Sequence, residues 1–187
     1  MFIRSERLFL RPAWPEDWRE VYEQVNEERL VKNLARAPWP YTPGDARQFV
    51  RQPQGRRYPN FVVTLPSVSG SKIIGSAGLT RNGNEAELGY WIGRNYRGHG
   101  YATEAAGAVL QMAKALGHRE LVAAHFLDNP ASGKVLSRLG FRKVAENVMR
   151  FSRGRGVCAP ERVYRIVLDD PKGCGGDGDG EPDRIAA

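Results

Sequence analysis

The chain has 187 residues, 41% of them hydrophobic and 26% charged, which is enough for one domain with its own core. No apolar run reaches membrane-spanning length, and charges interrupt the opening Met-Phe-Ile-Arg-Ser-Glu before a signal-peptide core can form, so a cytoplasmic protein without a membrane partner is expected. The net charge of +7 hides a division: residues 169–187 carry six acids against two bases, net −4, leaving residues 1–168 at +11 and favouring an anionic partner. Cys158 and Cys174 have no Cys/His neighbours at metal spacing; free thiols and no metal are expected.

Arg7-Leu8-Phe9-Leu10-Arg11 alternates charged and apolar residues and reads as a strand closed by Pro12. Pro15 suits a first helical position, Glu16 and Asp17 favour the first turn, and Trp18, Val21, Tyr22 and Val25 form the apolar stripe of the helix that follows. Residues 30–41 read as irregular, with Trp39 and Tyr41 either lining a substrate site or plugging one end of the core. Thr42 caps a short helix through Val50. After a loop over 51–60, residues 61–65, 72–79 and 85–92 read as three strands joined by short turns, Asn82-Gly83 being the clearest, and so as an antiparallel meander.

A helix through Leu116 follows, buried along Ala102, Ala105, Ala106, Val109, Leu110 and Ala113, with Gly117 ending it. Residues 120–126 read as a buried strand. Asn129 caps the next helix, with Pro130 at its first position and an end near Leu139-Gly140. Residues 144–151 and 163–168 form a last pair of strands around an Arg/Gly-rich loop. The acidic, Gly-rich residues 169–187 have too little apolar surface to fold, so one domain over 1–168 with a flexible tail is expected.

The organising stretch is Glu87–Ala102, a strand that crosses a basic connection and delivers Arg97-Gly98-His99-Gly100-Tyr101-Ala102 to a helix start. The first amides of a helix have no intrahelical partners and carry partial positive charge, and glycines let a ligand approach the backbone, so the stretch reads as a phosphate cradle. A P-loop would end in Gly-Lys-Ser/Thr, and the dinucleotide fingerprint needs a full G-x-G-x-x-G; neither is present.

With its neighbours the stretch resembles the GNAT superfamily of acetyl-coenzyme A dependent N-acetyltransferases. Arg97-x-x-Gly100-x-Ala102 is similar to the family's pyrophosphate signature, and Asn129-Pro130-Ala131-Ser132 followed by Leu139-Gly140-Phe141 to its second cofactor motif. The opening Arg-Leu-x-Leu-Arg-Pro and the Glu-Leu-Gly-Tyr-Trp-Ile strand look most like the RimJ/RimL branch of ribosomal-protein N-terminal acetyltransferases. The resemblance covers residues 4–168. It implies an α+β fold with a central, mostly antiparallel twisted sheet of six to seven strands, about four flanking helices and a splay between the fourth and fifth strands.

The implied co-substrate is acetyl-coenzyme A, with no metal. Its pantetheine arm would pair with the main chain of Tyr90, Trp91 and Ile92, its pyrophosphate would sit on the amides of Arg97, Gly98, His99, Gly100, Tyr101 and Ala102, and Asn129 and Ser132 would complete the cofactor site. The implied partner is an amine acceptor, a peptide N-terminus or a small molecule, attacked directly in a ternary complex; a homodimer is plausible for this branch, and nucleic acid is not expected.

An alkylammonium with a pKa near ~10 must lose a proton before it can attack. Glu87, on the central strand, is the first candidate base, acting through water, and Glu85 the reserve. The chain departs from the family in two places: Leu136 stands where many relatives carry a tyrosine acid, and Ala124 where some carry a glutamate base. Ser132 matches the serine proposed in the RimL-like branch to support the departing thiolate. His99 is expected beside the phosphates, His125 in the core, and Tyr164 within reach of the acceptor. Two alternatives stand: a coenzyme-binding sensor without turnover, and a nucleic-acid-binding module.

Overall fold

Leu8 and Leu10 flank half-buried Phe9, and both bury in one core cluster with Phe61 and Val63, which sets the inner face of the first long sheet contact. A computed structural model describes residues 1–68 and 70–168; the predicted flexible tail and Cys174 lie outside the described residues. Within them the strands are β1 (Ile3–Arg4), β2 (Phe9–Arg11), β3 (Asn60–Ser67), β4 (Gly70–Asn82), β5 (Glu85–Ile92), β6 (Glu120–Phe126), β7 (Arg142–Ser152) and β8 (Val157–Val167). The α-helices are α1 (Trp18–Val25), α2 (Glu28–Val31), α3 (Pro43–Val50), α4 (Tyr101–Ala115) and α5 (Pro130–Arg138).

Eight strands and five helices thus replace the predicted six to seven and four. The additions are β1, two residues long, and α2, four residues long, which are too short to show any periodicity. A second correction concerns β8, which begins at Val157 and not at 163. Pro160 obscured it, since proline is a poor strand residue. The carbonyl of Pro160 accepts from the Leu127 amide, just past the end of β6. A strand residue aims its N–H and C=O to the same side, so the missing donor would have pointed off the end of β6, and no bond to β7 is lost.

The strands make one sheet in the order β1-β2-β3-β4-β5-β6-β8-β7. The helices cover both faces. On one, α4 and α5 bury Val109, Ala113 and Leu136 against Phe61, Leu79 and Leu121. On the other, Val21, Val25 and Val31 from α1 and α2 pack on Val62, Ile73 and Trp91. Each large side chain fully buried this way contributes about 1.5–3 kcal/mol. The alanine face of α4 brings the helix close to the sheet, and Gly117, at φ 77°, ends it with a bond from the His118 amide to the Ala113 carbonyl.

Neighbouring strands β4 and β5 share eight residue pairs, from Gly75↔Ile92 to Asn82↔Glu85. Strands β5 and β6 run parallel and meet only at Glu87↔Val122. Beyond that point they diverge, which is the predicted splay.

Candidate active site

The splay leaves one edge of β5 without a strand partner from Tyr90 onward. Which main-chain groups face it follows from the antiparallel alternation: the Gly93 amide donates to Ile74 O at 2.8 Å, so Gly93, and by alternation Trp91, turns toward β4. Tyr90 and Ile92 therefore face the splay, and Trp91, grouped with them from sequence, does not. The Ile92 carbonyl already accepts from Arg97 Nε at 3.0 Å. The groups left to an extended ligand are the Tyr90 amide and carbonyl and the Ile92 amide.

Past β5 the chain makes a short 3-10 turn (Arg94–Tyr96) and enters the cradle. The Arg97 amide is tied back to the Arg94 carbonyl at 3.4 Å, and its guanidinium forks onto Glu27, so Arg97 shapes the loop and the cradle proper starts at Gly98. Gly98 and Gly100 sit at φ 84° and 82°, in the left-handed region where a side chain is strained. Gly100 is also the residue that precedes α4, and no side chain caps the helix there. The amides of Tyr101, Ala102 and Thr103 thus have no intrahelical partner and no side-chain one, the condition of an anion site at a helix N-terminus. His99 is exposed, stacks on Tyr101, and offers its carbonyl to Arg7, which lies over the same tyrosine ring.

Tyr90 supplies what sequence reasoning missed. Its phenol reaches across the splay to Ser132 of α5, 2.9 Å from Oγ and 3.1 Å from the carbonyl oxygen. Burial pushes the phenol up to about 12, against the opposing hydrogen bond from Ser132, so it stays protonated at neutral pH. A tyrosine hydroxyl therefore stands beside Ser132 although Leu136, at the expected tyrosine position, is fully buried. Asn129 precedes α5 but makes no side-chain capping bond, contrary to the predicted cap.

Glu87 faces away from α4, toward the α1 to α3 side of the sheet. Arg150 of β7 forks onto it, with Nη1 2.5 Å from Oε1 and Nη2 3.1 Å from Oε2, and the same Nη1 lies 3.5 Å from Glu161 Oε2 of β8. Neither Arg150 nor Glu161 was legible as a site residue, since both belong to the hairpin whose second strand was misplaced. Glu85 pairs with Arg165 at the surface and does not line the cavity. His125 is buried, with Nδ1 2.8 Å from the Phe126 carbonyl and Nε2 3.3 Å from the Tyr164 hydroxyl; a proton on Nδ1 satisfies both contacts. That pair packs under Gly133 of α5, which holds Tyr164 in the core and away from the acceptor side.

One cavity of about 1280 Å³ joins these parts, lined by Glu87, Tyr90, Gly98, Gly100, Asn129, Ser132, Arg150 and Glu161. Its far wall comes from α2 and the loop after it, including Tyr41, which is buried and stacked on Tyr22, so this aromatic serves the core and the cavity at once. The tip of the β7–β8 hairpin closes that wall: the Arg153 amide donates to Ala35 O at 2.9 Å and Arg155 Nε to Lys32 O at 2.8 Å.

A model of the GNAT acetyltransferase domain matches residues 7–142, most of the described chain. The chain belongs to the GNAT acetyltransferase family. Among curated proteins, this GNAT chain is 29% identical over 146 residues to the uncharacterized N-acetyltransferase YnaD of Bacillus subtilis (strain 168), covering 76% of this chain and 84% of YnaD. Among solved structures it is similar to a GNAT-family acetyltransferase from Bacillus anthracis, with TM-score 0.76, 26% identity and coverage of 89% of this chain and 98% of that one. The fold also matches the ribosomal L7/L12 alpha-N-protein acetyltransferase RimL, solved with coenzyme A, at TM-score 0.74 and 19% identity over 91% of this chain and 99% of RimL.

Proposed function

We propose that this GNAT enzyme transfers the acetyl group of acetyl-coenzyme A to a primary amine, directly and within a ternary complex in the cytoplasm. The observation that carries the reading is the continuity of the site: an open β5 edge runs into an uncapped, glycine-started helix, and the same cavity holds the neighbouring carboxylates of Glu87 and Glu161 and a Tyr–Ser hydroxyl pair. The free main-chain groups of Tyr90 and Ile92 suit the amides of pantetheine, as an added strand would. The cradle from Gly98 to Ala102 suits the pyrophosphate, and Asn129, its side chain unused by the helix, is available to the arm between them.

Acetyl-coenzyme A supplies an activated thioester. The chain contributes position, a proton acceptor on the Glu87 and Glu161 side, and hydroxyl donors near the thioester sulfur. Among the described residues the one cysteine, Cys158, is an exposed free thiol on β8 and does not line the cavity. Leu136 and Ala124 at positions that carry catalytic side chains in other family members motivate the competing reading, a coenzyme-binding sensor without turnover.

The deciding experiment measures thiol release from acetyl-CoA with a serine-initiated peptide, an alanine-initiated peptide, spermidine and kanamycin. The expected result is saturable release matched by acetylated amine in the mass spectrum. Acetyl-CoA binding with no acetylated product from any of them would favour the sensor. Within an active enzyme, Ser132→Ala is expected to lower kcat about tenfold, the value of one hydrogen bond, while acetyl-CoA affinity stays within about twofold. Lost affinity at unchanged kcat would make Ser132 a binding residue only.

A further inference from the structure

Arg150 divides itself unequally between two carboxylates. Its guanidinium forks onto Glu87 at 2.5 and 3.1 Å but reaches Glu161 through one contact of 3.5 Å. Glu87 is thereby matched with a counterion through two charge-assisted bonds, one to each of its oxygens. Glu161 keeps an unshared oxygen. Both side chains are nearly buried and both line the cavity, Glu161 from β8 opposite Phe126, beyond the single β5–β6 pairing and thus beside the open splay.

We infer that Glu161 takes the proton from the acceptor ammonium, directly or through a water, and that Arg150 is a positioning residue holding Glu87 as its ion partner. The inference rests on the acetyltransferase reading. One ammonium proton passes to the Glu161 carboxylate; the neutral nitrogen bonds to the thioester carbon as the carbon–sulfur bond breaks. A second nitrogen proton goes to the departing thiolate, by way of Ser132 or water, and Glu161 returns its proton to solvent. Amide, thiol and one released proton balance the reaction.

The electrostatics run the same way. Burial pushes the Glu161 carboxyl up, the negative charge of Glu87 adds to that, and Arg150 opposes both. Glu87 from β5 and Arg150 from β7 are the charged groups acting on it; Phe126 of β6 and Val148 of β7, opposite it in the sheet, carry no charge. A raised carboxylate is a stronger base, closer to the amine it must deprotonate.

The test uses the full chain, acetyl-CoA and whichever of the four amines above reacts fastest. Glu161→Gln is expected to lower kcat about 100-fold at pH 7, with acetyl-CoA affinity within about twofold of the parent as the check on folding. The deficit should shrink as pH rises past the amine's own pKa, because the amine then arrives neutral. Glu161→Asp should recover part of the rate. Arg150→Met, which removes the counterion, should move the acid limb of kcat/KM to higher pH. A Glu161→Gln deficit that is the same at every pH, an unchanged rate, or a pH-dependent deficit in Glu87→Gln instead would overturn the assignment. A parent enzyme that binds acetyl-CoA but acetylates none of the amines overturns the acetyltransferase reading and this one with it; an active parent confines any failure to Glu161.

Discussion

Gly100→Val is expected to lower acetyl-CoA affinity at least about a thousandfold. Two effects act together, and both come from the cradle geometry. At φ 82° a β-branched residue is strained by about 1–3 kcal/mol, so the loop that aims the helix amides relaxes to another conformation. A Cβ at this position meets only the Arg7 guanidinium, 3.5 Å away and the end of a flexible side chain, so the protein does not block it; it enters the space of the approaching phosphate. Losing three charge-assisted bonds at about 1.5–3 kcal/mol each accounts for a thousandfold or more. Calorimetric titration measures it, and a thermal melt close to that of the parent shows that the loss is local. Normal affinity in Gly100→Val would mean that the phosphates lie elsewhere.

Asp17→Ala is expected to cost about 3–5 kcal/mol of folding stability, the range for breaking a buried ion pair. Arg11 and Asp17 are both buried and joined by two bonds, Nη1–Oδ2 at 2.6 Å and Nη2–Oδ1 at 2.9 Å. The same carboxylate accepts the Trp14 amide at 2.7 Å, so the substitution strands a guanidinium and an amide together. What remains for Arg11 is the Pro12 carbonyl and the Trp14 ring beneath it. Urea denaturation measures the loss. The pair Arg11→Met with Asp17→Leu should recover most of it, since replacing both charges by apolar groups removes the unpaired charge. A loss below about 1 kcal/mol would show that water reaches the pair and screens it. The consequence extends to the site, because Asp17 immediately precedes α1, whose last residue, Val25, lines the cavity beside the wall that α2 and the following loop make.

The meander, the glycine cradle and the long helix after it were legible because each is a local device. The Asn82-Gly83 turn, the alanine stripe of α4 and the Thr42 cap all act within a few residues, and all three are found in place. Pro160 misled in a way that also follows from physics. Its cost depends on which neighbour its missing N–H would have met, and that neighbour, the end of β6, lies far away in sequence. The Asp17 carboxylate shows the same limit: sequence placed it in a first helical turn, and only packing brought Arg11 against it.

By itself, then, the sequence determined the order of the main elements and the glycine turn, Gly98 and Gly100, that opens the long helix, because capping, glycine φ and hydrophobic period are short-range. Tertiary structure decided which side chains share the cavity. Arg150 and Glu161, on the β7–β8 hairpin, reach Glu87 on β5, more than sixty residues earlier in the chain, and Tyr90 reaches Ser132 across the splay. Charge pairing and burial of this kind depend on distance in space, which no local pattern encodes. Glu87 is held by both arms of the Arg150 guanidinium, and Glu161 meets the same guanidinium through one longer contact.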